Sequence, residues 1–531
     1  MPSWSKHQKP HAIVGLDFGM ECIKVAMAFL DEASNDYKVM LLPFKENSFT
    51  DETNNLTVLA YPSAGGGPEW GYAADALTGH RDWHVFRILD PGALDPLSVT
   101  RQLNCVLCTP CLDTQVQVLS DTVEHPTDVV AAAAGPALNK TGRELCLDVL
   151  KKLLPCIVDF YTENARARLP AWDDARVDVV LTVPLTVGKD RGTVLAEAAR
   201  DAGFEDAEKK HKVLDVSLTE AEAVMVQIMH EKGDLFMTGD HILVADIGGA
   251  TLDTSLLVLA DKEKGQVLTD FWWPMTNQLF GAAYIDDALE KNIAQALKQC
   301  NAQGSPAVAA DIAGVARSLS RDFSVRHAKH SLGKRVSDPD SVASKEVACV
   351  PIPSLLDGVL TSSLGENRGI TFQDTLMQLN RPALTDLFDR QIHGEPGKCH
   401  GLTVEMRIMR DDVYVKHAAK SIRHPPRERD AGQAPRANDI LDFLVFAGGM
   451  GANEYVRTEI EDALRHRPPH PPASQPDIQS AKTIEDMQYL AAESPQHCVC
   501  QGLVRAHMQE LDNRKKRSSF LFKKPGFMKR K

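Results

Sequence analysis

The chain has 531 residues, too many for one ordinary domain of about 100 to 200 residues, so two or more cores are expected. It is 43% hydrophobic and 25% charged, the make-up of an average soluble globular protein, which excludes wholly disordered, collagenous and membrane-embedded classes. A formal net charge of -13 argues against nonspecific nucleic-acid binding by the whole chain, so any basic surface must be local.

Residues 1–10 read as a polar N-terminal extension without the apolar run of a secretory signal, and no later stretch approaches the roughly 18 apolar residues of a membrane helix. Eleven cysteines, an odd number scattered along the chain, suit the reduced thiols of a cytoplasmic or nuclear protein. His11 to Leu16 predicts a strand that breaks at Asp17-Phe18-Gly19 and resumes from Cys22 to Leu30, a hairpin with a charged, glycine-containing turn. Cys105, Cys108 and Cys111 then stand close together. A zinc or iron-sulfur site would need a fourth ligand that does not follow at finger-like spacing, so three free thiols in a surface insertion are the preferred reading.

Val177 to Val183 predicts a strand ended by Pro184, and Lys189 to Ala202 a helix stopped by Gly203. Lys212 to Leu218 predicts another strand. It runs into Thr219-Glu220-Ala221-Glu222, where Thr219 and Glu222 have the spacing of a capping box for a helix reaching about Lys232. Ile242 to Ala245 breaks at Asp246-Ile247-Gly248-Gly249 and resumes from Thr254 to Leu259, repeating the first hairpin as a duplicated domain would. Ile440 to Ala447 is a further apolar strand, followed by Gly448-Gly449-Met450-Gly451 and a helix from about Asn453 to Leu464. Residues 331–347, 421–438 and 466–479 read as loops or disordered insertions. Asn513 to Lys531, with nine Lys or Arg and no acid, reads as a flexible basic tail, the one candidate for nucleic-acid or membrane-surface contact.

An acid at a strand end, followed by glycine, brings a carboxylate and backbone N–H groups to one point. The N–H groups suit phosphate oxygens and the carboxylate suits a hydrated Mg²⁺. Asp17-Phe18-Gly19 alone is more often an ordinary hairpin turn. Its recurrence at Asp246, with a third glycine-rich turn at Gly448-Gly449, favours phosphate binding. Glu220 is either an acid stabilised by its helix dipole or a carboxylate that orients an attacking water, and spacing does not separate the two.

These motifs resemble those of the heat shock protein 70 and actin-like ATPase superfamily. Gly15-Leu16-Asp17-Phe18-Gly19 is similar to its first phosphate motif, Asp246-Ile247-Gly248-Gly249-Ala250-Thr251-Leu252-Asp253 to its second, and Phe446-Ala447-Gly448-Gly449-Met450-Gly451 to its adenosine motif. Leu181-Thr182-Val183-Pro184, Thr219-Glu220-Ala221-Glu222-Ala223 and Ser494-Pro495-Gln496 before Gly502 follow in family order. Trp70-Gly71-Tyr72-Ala73-Ala74 and Gly451-Ala452-Asn453-Glu454-Tyr455 look most like the divergent A12-type heat shock protein 70-like proteins. The resemblance implies an α/β, two-lobed actin-like ATPase fold of duplicated ribonuclease H-like domains with a nucleotide cleft between them, lobe I over 11–238 and lobe II over 239–512. It implies binding of ATP or ADP with Mg²⁺ held through waters by Asp17 and Asp246. Gly19, Met20, Glu21, Gly248, Gly249, Ala250 and Thr251 would lie at the phosphates, and Glu220 and Asp253 in the catalytic site. Gly448, Gly449 and Met450 would line the adenosine, and Lys329 would pack on the adenine unless it belongs to a solvated basic helix face. The implied function is a chaperone-related protein with slow ATP hydrolysis.

Departures from the family pattern, above all Met20, Glu21 and the missing peptide-binding domain, motivate an alternative, a non-hydrolysing nucleotide-dependent interaction protein. Met20 and Glu21 stand where the family's first phosphate loop has two hydroxyl residues that donate to phosphate. Ala250 adds a methyl where the family has glycine. The family's lysine between the first hairpin and the middle strand has only Arg87 as a candidate, and the sequence after Gly502 is too short for a peptide-binding domain and lid.

Overall fold

In the computed structural model, the described residues are 9–19, 21–44, 53–77, 82–87, 115–116, 140–165, 168–182, 195–206, 208–215, 218–249, 252–261, 266–273, 281–301, 312–323, 347–351, 369–373, 376–395, 399–400, 403, 441–465 and 487–521. The architecture is mixed α/β with several sheets. Two compact units emerge: unit 1 takes its described residues from Met1–Ile88, Leu103–His230 and His497–Lys531, and unit 2 from Glu231–Gln496.

In unit 1, β1 (Ala12–Phe18), β2 (Cys22–Asp31) and β3 (Asp36–Leu41) form an antiparallel meander, with β4 (Asn54–Leu56) also paired to β2. β5 (Val58–Pro62), β6 (Glu69–Trp70) and β7 (Trp83–Arg87) make a small separate sheet under the short helix α1 (Gly71–Ala76). β8 (Gln115–Val116) pairs with β9 (Lys140–Thr141), which leads into the long helix α2 (Gly142–Ala165). β10 (Val177–Leu181) joins β1 in parallel and β11 (His211–Val213) joins β10 in parallel. Every residue of β1 is buried, as expected of an inner strand covered on both faces. Its even-numbered residues Ala12, Val14, Leu16 and Phe18 share a core with Leu145, Val149, Leu153 and Ile157 of α2. Side chains alternate along a strand, so Ile13, Gly15 and Asp17 face the other way. The unit's chain segment closes with α3 (Glu220–Lys232).

Unit 2 repeats this scheme. β12 (His241–Ile247), β13 (Leu252–Asp261) and β14 (Gln266–Trp273) form an antiparallel meander. α4 (Ala282–Asn301) and α5 (Ile312–Phe323) follow, then an antiparallel sheet of β15 (Val347–Pro351), β16 (Ile370–Gln373) and β17 (Leu376–Asn380). α6 (Arg381–His393) starts at Asn380, whose Oδ1 accepts from the backbone N–H of Ala383 at 3.0 Å, an N-terminal cap. Beyond the β18 (Gly394–Glu395) and β19 (Cys399–His400) pair, β20 (Phe443–Ala447) joins β12 in parallel. The short helix α7 (Gly448–Gly451) and α8 (Glu454–Arg465) lead to β21 (Gln488–Ala491), parallel to β20. Both large sheets thus have three antiparallel strands followed by two parallel ones, with a seven-residue first strand and a ten-residue second strand. The expected duplication is present at the level of strand order.

The last element, α9 (Cys498–Leu521), has its described residues in unit 1, whereas the expected lobe II ran over 239–512. The physical reason is burial. Cys498, Cys500, Leu503 and Val504 are all at or below 5% exposure, and they cover the Gly15 face of β1. A Cβ on Gly15 would lie 2.6 Å from the Cys500 carbonyl oxygen and 2.8 Å from Val504 Cγ2, so only hydrogen there lets the helix come this close. α9 continues as helix to Leu521, so 513–521 of the expected tail are helical, and 522–531 lie outside the described residues. Lys and Arg are good helix formers, and extending an existing helix avoids the nucleation cost. The strand expected over Lys212 to Leu218 is limited to His211–Val213. The expected stop at Gly203 holds, with φ at 96°. The expected loops 421–438 and 466–479, and 331–347 apart from Val347, lie outside the described residues. Among the described residues no helix is long and apolar enough to cross a membrane.

Candidate functional site

In each large sheet the chain leaves two adjacent parallel strands in opposite directions. β1 turns back into β2 on one side, while β10 proceeds through a helix over 195–204 to β11 on the other. β12 turns into β13, while β20 proceeds through α7 and α8 to β21. Ligands of open α/β sheets bind outside the carboxyl ends of strands at such switch points. Asp17 is the sixth residue of β1 and Asp246 the sixth of β12, so each unit has an aspartate at its switch point.

In unit 1, Asp17 is buried and directly opposite Lys24 in the hairpin register. The Lys24 ammonium donates to Asp17 Oδ2 at 3.2 Å. The turn between them is tied to the β4–β5 junction: Thr57 Oγ1 donates to the Gly19 carbonyl at 2.7 Å, and the Thr57 N–H donates to the Glu21 carbonyl at 2.8 Å. α9 runs antiparallel to β1 and β10, because His507 meets Asp178 near the start of β10 at 2.7 Å while Cys500 lies over Gly15. The N-terminal turn of α9 therefore sits at the Asp17 end. Burial pushes the Cys500 thiol well above the usual thiol range, and the nearby Asp17 charge pushes it further, which leaves it a poor nucleophile.

α3 reaches the same end of unit 1. Gly502 of α9 packs against the Ala223 carbonyl, and three residues later Arg505 Nε donates to Gln227 Oε1 at 2.8 Å, so α3 and α9 run side by side in the same direction. Thr182, one residue beyond β10, donates through Oγ1 to the Leu218 carbonyl at 3.0 Å, anchoring the approach to α3. The expected capping box is formed: the Thr219 N–H donates to Glu222 Oε2 at 2.9 Å, and the Glu222 N–H donates to Thr219 Oγ1 at 3.2 Å. Glu220, buried in the first turn, is thus held on the same sheet face and at the same end as Asp17. Two positive helix ends and a lysine are set there against two carboxylates.

In unit 2, Asp246 stands directly opposite Asp253. Directly opposed residues share a face, and like charges in that relation destabilise a sheet unless a cation joins them. Ser255, next on this face of β13, has a fully buried Oγ without a hydrogen-bond partner among the described residues. Gly448 is the register neighbour beyond Ala447 and has φ at 79°. A Cβ there would lie 2.3 Å from Asp246 Oδ1 and 2.4 Å from the Ile247 carbonyl oxygen, so both the left-handed backbone and the close approach require glycine. Next to it, a Cβ on Gly449 would meet nothing within 4 Å, and Met450 points into the core. The Gly248 carbonyl accepts from the Ala282 N–H at the start of α4, 3.4 Å away. An acid pair beside an open glycine turn fits a hydrated divalent cation. In unit 1 the ammonium of Lys24 already meets Asp17, which fits such a cation less well.

The structure therefore brings Asp17, Gly19, Glu21 and Glu220 to one end of unit 1, and Asp246, Gly248, Gly249, Asp253, Gly448 and Gly449 to one end of unit 2. Met20, Ala250, Thr251, Lys329 and the cysteines at 105, 108 and 111 lie outside the described residues, as does the side chain of Arg87. Sequence reasoning missed Lys24 and Thr57. The Lys24 signal was available, because a hairpin centred between residues 20 and 21 pairs 17 with 24, just as the second pairs 246 with 253. Thr57 is held by strands that no motif marks. No protein-family model matches the chain, and no curated protein matches it either.

Proposed function

We propose that the chain is an adenine-nucleotide-binding protein of the heat shock protein 70-like, actin-like ATPase class, with slow ATP hydrolysis. One observation carries this reading: the same five-strand order occurs twice, with an aspartate at the sixth position of the first strand and a glycine turn beyond it at each switch point. That repetition is what the two-lobed class requires. The acid pair Asp246 and Asp253 is assigned the Mg²⁺, through waters. When bound, the ion supplies charge neutralisation around the transferred phosphoryl. Glu220 is assigned the orientation of a water, and Gly448 and Gly449 the close approach of backbone to the nucleoside.

Titration calorimetry with ATP and ADP in Mg²⁺, alongside phosphate release on the same preparation, tests the reading. Binding that raises the melting temperature, with slow turnover lost in Asp246→Asn, is expected. Absence of both binding heat and thermal shift at millimolar ATP would remove the proposal. Glu21, a carboxylate where the family has a hydroxyl, favours a second reading, nucleotide binding without hydrolysis. Binding without phosphate release above the Asp246→Asn background would select it.

A further inference from the structure

A different cluster lies on α6 and α8 of unit 2. Asp389 and His393 are four apart on α6 and so share one helix face. Tyr455 and Glu459, four apart on α8, meet them as two rungs. Tyr455 OH donates to Asp389 Oδ1 at 2.6 Å, and His393 Nε2 lies 3.0 Å from Glu459 Oε2 and 3.9 Å from Asp389 Oδ1. One ligand atom from each of Asp389, His393 and Glu459 falls within 4.8 Å of the others. The Glu459 side chain is 8% exposed, whereas Asp389 and His393 are 29% and 40% exposed.

We propose that Asp389, His393 and Glu459 form a zinc-type divalent metal site that staples α6 to α8. Donor atoms about 2.0 to 2.1 Å from a tetrahedral zinc stand about 3.3 Å apart, and the observed separations of 3.0 and 3.9 Å bracket that value. One imidazole nitrogen with two carboxylates is a borderline-hard N/O set suited to zinc and its first-row neighbours. Three protein ligands leave the fourth position to water, and the exposed side of His393 and Asp389 provides an entry path. Tyr455 supplies the outer hydrogen bond that fixes a ligating carboxylate. The cluster does not depend on nucleotide, since none of its residues belongs to either switch point. The staple joins residues 66 apart in sequence, and α8 follows directly on the glycine turn at Gly448.

The test uses the full chain stripped of metal and titrated with Zn²⁺, and with Co²⁺ as a spectroscopic probe. Wild type is expected to take up one Zn²⁺ equivalent that His393→Gln and Glu459→Gln both lose and Cys105→Ser keeps. It should also show the visible absorption of four-coordinate Co²⁺, and a zinc-induced rise in melting temperature absent from both variants. Far-UV circular dichroism checks their folding, and Asp389→Asn, at a partly exposed position and with the Tyr455 acceptor retained, replaces any variant that does not fold. Equal Zn²⁺ stoichiometry in wild type and folded variants, or no uptake by wild type, would reduce the cluster to a His–Glu ion pair and overturn the proposal.

Discussion

Asp17 and Asp246 occupy equivalent places, yet their cross-strand register partners carry opposite charges. Asp17 is matched by an ammonium across the hairpin, and Asp246 faces a second carboxylate. The Lys24 and Asp17 side chains are 15% and 7% exposed, and removing one partner of so enclosed a pair strands the other charge. Lys24→Met is therefore expected to cost on the order of 3 kcal/mol, read as a lower urea midpoint, with much of the loss recovered in the Lys24→Met/Asp17→Asn double variant. A midpoint equal to wild type would show that Asp17 does not depend on Lys24. The two aspartates were legible in the sequence because an acid followed by glycine at a strand end is a local pattern. Their differing partners were not, since these depend on register, and a register becomes visible only once the turn centre is known.

At the scale of elements, local signals served best where capping or backbone conformation decides the outcome. The Thr219–Glu222 box and the stop at Gly203 each follow from a few adjacent residues. α2 and α9 were not anticipated, because a helix that covers a sheet is selected by distant strands. Gly502 is the point where α9 and α3 touch: a Cβ there would lie 1.8 Å from the Ala223 carbonyl oxygen. Backbone cannot yield as a side-chain tip can, so Gly502→Ala is expected to destabilise by about 1 to 3 kcal/mol or more. Thermal or urea unfolding of that variant checks this, and wild-type stability would mean that the two helices separate freely.

At the scale of the whole molecule, His11 and His211 are expected to contribute to the acid limb of stability. Burial lowers the His11 pKa below its usual value of 6.5, and the Arg176 guanidinium lowers it further. His11 Nδ1 also accepts from the Arg176 backbone N–H at 2.9 Å, which protonation would prevent. Burial likewise lowers His211, partly offset by its bond to the Trp172 carbonyl. With folded values depressed, the unfolded chain binds more protons as pH falls below about 6.5. The stability present above that pH is therefore lost as pH drops toward the folded values. A urea midpoint that falls from neutral pH toward about 5.5, less steeply in His11→Gln, is expected; identical slopes would exclude His11 as a contributor. The return of α9 to unit 1 also orders events during synthesis. β1 emerges before Glu231–Gln496 and its covering helix after. At typical translation rates that interval is on the order of tens of seconds. Throughout it the Gly15 face of β1 lacks α9, so nascent unit 1 is expected to leave that part of its sheet open while unit 2, whose described residues come from one continuous segment, is still being made.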